Sequence, residues 1–124
     1  MKVVAVKKKA PDGRRLSLTI GKEYEVLGIE ADSYRIITDP HATPWGSDPV
    51  LFDPGCFKIT DPSEPAFWVC SYGSDGERYC YPGEWGEPGF FEHYHDGIEN
   101  VRKRFWEDLR RYFPEVWKEH VSQS

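Results

Sequence analysis

Leu18-Thr19-Ile20-Gly21-Lys22-Glu23-Tyr24-Glu25-Val26-Leu27-Gly28-Ile29-Glu30 carries the clearest strand pattern in the chain. Tyr24, Val26 and Gly28 fall two apart, with Glu23 and Glu25 bracketing them, so one face is apolar and the other charged. That period belongs to a strand with one buried side. Gly21 precedes it where a tight turn needs positive φ. Gly28 interrupts it where a bulge or sharp bend is expected.

Working outward, Ser33-Tyr34-Arg35-Ile36-Ile37-Thr38 is aromatic and β-branched, and it follows the hairpin-length break Glu30-Ala31-Asp32. Pro49-Val50-Leu51-Phe52 and Phe57-Lys58-Ile59-Thr60 supply two more strands, and residues 1–7, alternating around Val4 and Val6, supply the first. Short strands at such close spacing predict a barrel rather than a layered α/β domain.

Two phrases carry a resemblance. Leu18-Thr19-x-Gly21-Lys22-x-Tyr24-Glu25-Val26-Leu27 resembles the segment that enters the core of an SH3-like barrel, and Leu51-Phe52-Asp53-Pro54-Gly55-Cys56-Phe57-Lys58-Ile59 resembles its short helical turn and last strand. The same phrases are similar to those of small, poorly characterised bacterial SH3-like proteins, some of toxin-immunity type. The resemblance covers about residues 1–61 and implies a barrel there. An SH3 peptide groove uses aromatics in its first loop; residues 7–15 are basic and hold none, so proline-peptide binding is not expected.

Asp61-Pro62-Ser63-Glu64-Pro65 marks the boundary, because two closely spaced prolines end strand pairing. Residues 1–61 form the barrel, and residues 62–124 form a hairpin, an acidic-aromatic loop and a C-terminal helix packed on it as one compact unit. Residues 67–72 and 77–81 are the hairpin strands, either extending the barrel sheet or forming an arm. From 82 to 96 glycine and proline oppose regular structure. Asp96 and Glu99 have capping-box spacing. Ile98, Val101, Phe105, Leu109, Tyr112 and Val116 recur at helical period, and Pro114 ends or kinks that helix. The expected fold class is therefore α+β, mainly β: an SH3-like barrel plus a hairpin and one amphipathic helix.

The chain of 124 residues is long enough for one real core, and 15% aromatic content means that core is built from Tyr, Trp and Phe. A net charge of −5 argues against general nucleic-acid binding, so the basic run at 7–15 reads as a solvated loop. Residues 1–7 are too short an apolar run for a signal peptide or a membrane span, which makes cytoplasm the default expectation. Cys56, Cys70 and Cys80 include no C-x-x-C pair, so no structural metal is expected. A three-residue turn at 74–76 would oppose Cys70 and Cys80, and a two-residue turn would not. An odd cysteine count in a cytoplasmic chain favours free thiols.

Charge is uneven along the chain. Residues 61–96 hold 1 basic and 8 acidic residues, giving −7, whereas 1–60 (9 and 8) and 97–124 (6 and 5) each give +1. The same middle segment holds 9 of the 19 aromatics. Aromatic anchors among carboxylates suit an interface with a basic protein, a nuclease toxin being one example. The leading expectation is a non-enzymatic binding or inhibitory protein that engages such a partner through Glu84, Trp85, Glu87, Phe90, Phe91, Glu92, Tyr94 and Asp96, without a cofactor. The opposing reading makes the aromatics core and the carboxylates a solvated rim. Trp45, in a loop with three prolines, is either a further binding residue or a cap on the barrel.

Two alternatives remain. His93 and His95 would point the same way in an extended segment, with Glu92 and Asp96 beside them, as a small metal-dependent hydrolase requires. A homo-oligomer subunit would use Trp106 and Trp117 on the helix surface. No phosphate loop or nucleophile elbow is present.

Overall fold

The computed structural model describes residues 1–40 and 47–121. Trp45 lies outside them. The protein is α+β: among the described residues eight strands form two antiparallel sheets, followed by helices. The strands are β1 (Lys2–Ala5), β2 (Glu23–Glu25), β3 (Gly28–Glu30), β4 (Ser33–Ile37), β5 (Pro49–Phe52), β6 (Phe57–Asp61), β7 (Trp68–Tyr72) and β8 (Arg78–Pro82). One sheet has the order β2-β1-β6 and the other β5-β4-β3-β8-β7. Among the described residues these ladders do not close into a single barrel, because β5 and β7 remain edges of the larger sheet.

The opening stretch joins the two sheets. Val26 donates its N–H to the Met1 carbonyl (2.9 Å), on the smaller sheet, and Leu27 donates to the Arg35 carbonyl (2.9 Å), on the larger. Their side chains part accordingly. Val26 joins a core with Val3, Ala5, Tyr24, Ile29, Ile36, Phe52 and Trp68, and Leu27 joins a second core with Ile37, Tyr81, Trp85, Phe91, Phe105 and Leu109. Strand alternation thus puts a core on each face of the five-stranded sheet. β4 is an inner strand, between β5 and β3, with Tyr34 and Ile36 on one side and Arg35 and Ile37 on the other, and Ser33 as its only partly exposed residue.

The hairpin β7–β8 extends the larger sheet through β3, with Ile29 opposite Cys80 and Glu30 opposite Tyr79. Its turn has three residues: Gly73 donates to the Glu77 carbonyl (2.8 Å), and Gly76 takes positive φ. Cys70 therefore stands opposite Cys80, and the two form a disulfide, correcting the expectation of free thiols. Cys56 is free and buried.

The C-terminal half is more regular than its composition suggests. Gly83–Gly86 makes a short 3-10 turn, and α1 (Phe90–His95), α2 (Glu99–Tyr112) and α3 (Pro114–Val121) follow. The irregular loop expected over 82–96 is corrected: Gly89 and Gly97, both at positive φ, bracket α1 instead of preventing it. Asp96 does not cap α2, whose N-cap is Ile98, without a side-chain bond. Pro114 breaks the helix as expected. Lys22 ties α3 to the smaller sheet by an ion pair with Glu119 (2.5 Å). Among the described residues no helix is long and apolar enough to cross a membrane.

Candidate functional site

The helices cover only part of the second face of the larger sheet, and the remainder opens as a cleft of about 1020 Å³. Its floor comes from β3, β4 and β8. Arg35, only 4% exposed, donates Nε–H to Tyr81 Oη (3.0 Å), Nη1 to the Pro49 carbonyl (3.1 Å) and Nη2 to Glu30 Oε1 (3.1 Å). Its guanidinium lies 3.9 Å from the Phe91 ring centre. Tyr81 Oη also donates to Glu30 Oε1 (3.0 Å). The buried cation is thus paired with Glu30 and hydrogen-bonded at each of its three nitrogens, which offsets the penalty of an unpaired interior charge.

Leu51, Val69 and Phe90 contribute apolar surface in front of the buried Trp85 and Phe91, and Glu87, Glu92 and Asp96 stand at the exposed rim. Among the described residues no ion pair engages those three carboxylates, whereas Glu84 pairs with Arg104 on α2. His95 Nε2 lies 3.1 Å from the Pro49 carbonyl, which can only accept, so that nitrogen carries the proton. The floor charges cancel and the rim keeps an uncompensated negative charge. Such a cleft suits a cationic, partly apolar ligand.

Six of the nine residues singled out from sequence line this cleft: Trp85, Glu87, Phe90, Phe91, Glu92 and Asp96. Glu84 and Tyr94 do not. Tyr94 is 2% exposed and accepts from Trp106 Nε1 (3.2 Å). Trp85, Phe91 and Tyr94 are core rings rather than surface anchors, a correction to their expected role. His93 and His95 are corrected too: on a helix, residues two apart point to different sides. The one group of possible metal ligands among the described residues is Glu64, Cys70 and Cys80, whose sulfurs are already joined.

Sequence reading missed the floor. Arg35 in the middle of an otherwise apolar strand, five residues after Glu30 across a tight hairpin, was the available signal. Burial pushes the Tyr81 hydroxyl far above its ordinary range despite Arg35, and pushes Tyr94 up to about 12. Both fold neutral, so the stability they contribute is present below the ordinary value of 10 and is lost as pH rises from 10 towards 12. Alkaline titration followed by tyrosinate absorbance should show these two ionising only together with loss of circular-dichroism signal. Their ionisation in a folded protein would contradict the burial described.

Comparison with protein-family models, with curated proteins and with solved structures finds no match to this chain.

Proposed function

We propose that this protein is a non-enzymatic binding protein of inhibitory, immunity-like kind, built on an SH3-like barrel, that takes a basic segment of a partner protein into the cleft. The barrel reading is supported by the strand pair at 23–30 that serves both sheets and by the 3-10 turn Pro54–Cys56 between β5 and β6. The observation that carries the functional reading is the set of carboxylates Glu87, Glu92 and Asp96, unpaired among the described residues, above apolar walls and a neutral floor. A basic side chain entering there gains opposite charge at the rim and apolar surface for its methylene stem.

An octapeptide of alternating Arg and Ala should bind the full chain and shift the backbone NMR signals of residues 87–92. Binding should weaken at least about tenfold in E87K/E92K/D96K. No binding at millimolar peptide, or equal binding by the triple variant, would reject the reading.

A further inference from the structure

β7 is an edge of the larger sheet whose outer side pairs with no strand among the described residues. Gly73 and Glu77 form a hydrogen-bonded pair, and such pairs alternate along an antiparallel ladder. Tyr72–Arg78 and Cys70–Cys80 are therefore the non-hydrogen-bonded pairs. Arg78 confirms the phase, because its backbone N–H and carbonyl both turn away to Asp32 (3.0 and 3.2 Å). The N–H and C=O groups of Cys70 and Tyr72 accordingly point out of the sheet. The Trp68 N–H is already taken by the Pro65 carbonyl (3.1 Å).

Exposed edges are normally blunted by charge or proline. β2 carries Glu23 and Glu25, β6 carries Lys58 and Asp61, and β5 opens on Pro49. Residues 67–73, Phe-Trp-Val-Cys-Ser-Tyr-Gly, carry neither. Val69 is 70% and Tyr72 71% exposed. This edge also borders the cleft, since Val69 and Ser71 line it.

We propose that the partner docks as an extended basic strand along the outer edge of β7, pairing with Cys70 and Tyr72 and sending alternate Lys or Arg side chains into the acidic cleft. The inference rests on the reading above and adds the shape of the partner to its charge. A strand added about 4.8 Å beyond β7 turns the residues opposite Val69 and Ser71 to the cleft side, with successive such side chains roughly 7 Å apart. Glu87, Glu92 and Asp96 supply the opposite charge. A second copy of this chain fits the edge poorly, because each copy carries −5 and would bring its own acidic rim alongside.

Random octapeptides displayed for selection on the full chain should yield binders with Lys or Arg at alternate positions. N-methylation of one alternate set of amides in a selected peptide should weaken binding at least about tenfold, and methylation of the other set far less. Peptide binding should slow hydrogen exchange at the Cys70 and Tyr72 amides. Tyr72→Pro, which removes one outward N–H at an edge position where proline is tolerated, should weaken binding equally. Basic binders indifferent to either methylation, with unchanged exchange, would overturn the strand geometry while leaving the basic-partner reading intact. Binders without basic residues would overturn both. Failure to select any binder, or a dimer dissolved by Tyr72→Pro, would overturn the proposal.

Discussion

Gly28→Ala should destabilise the protein by about 3 kcal/mol, the upper part of the range for forcing an extra carbon into a packed interior. A Cβ at Gly28 would overlap Cδ1 and Cε1 of the Tyr81 ring and come within 2.8 Å of the Cys80 carbonyl oxygen. That ring cannot swing aside cheaply. It is 4% exposed, its hydroxyl is held by Arg35 and Glu30, and its ring centre lies 5.3 Å from that of Phe91. The carbonyl belongs to the strand paired with β3 and is no freer. Gly21→Ala is the informative contrast: it has φ of +84 with nothing within 4 Å, so it costs only backbone strain, roughly 1 kcal/mol. Thermal melts should separate the two, with a fall in melting temperature of about 10 °C for Gly28→Ala. The penalty should shrink in a Tyr81→Ala background, because the two sites share one volume. A cost under about 1 kcal/mol would mean that Tyr81 is not locked, and the cleft floor with it.

The same glycine shows how far the sequence could be read. Its interruption of the strand pattern is legible in residues 18–30, but the cause is a ring 53 positions later in the chain, and only the tertiary fold supplies it. Local period and turn chemistry located the strands, the 73–77 turn and the break at Pro114, because those depend on neighbours in sequence. The segment at 82–96 defeated that reasoning: Gly83, Gly89 and Gly97 adopt positive φ and so permit two short helical pieces that composition alone opposes.

The site was half legible for the same reason. Carboxylates and aromatics of residues 84–96 were recognisable as a cluster, and six of those eight reach the cleft. Which of them face solvent depends on α2, which covers their inner side with Phe105 and Leu109. Arg35 and Glu30 lie in strands read for their fold alone, so their meeting with Tyr81 from β8 had no local signature.

Trp85→Ala should cost about 4 kcal/mol, a large share of the stability of a domain this size. Trp85 is 1% exposed, with ring centres at 4.7 Å to Phe105, 6.1 Å to Phe113 and 6.2 Å to Phe91. Its indole N–H donates to Asp108 Oδ2 (3.2 Å), so truncation both opens a cavity and strips a carboxylate of its partner. Trp85→Phe keeps most of the packing and should lose only about 1 kcal/mol with that hydrogen bond. Glu87→Lys and Glu92→Lys, exposed at the rim, should each change stability by no more than about 0.5 kcal/mol while weakening the binding of basic peptides. Denaturant midpoints and peptide titrations on the same variants separate the two roles that the acidic-aromatic segment combines. If Trp85→Ala instead left stability unchanged and abolished binding, Trp85 would be an interface anchor and α2 would not be packed over it.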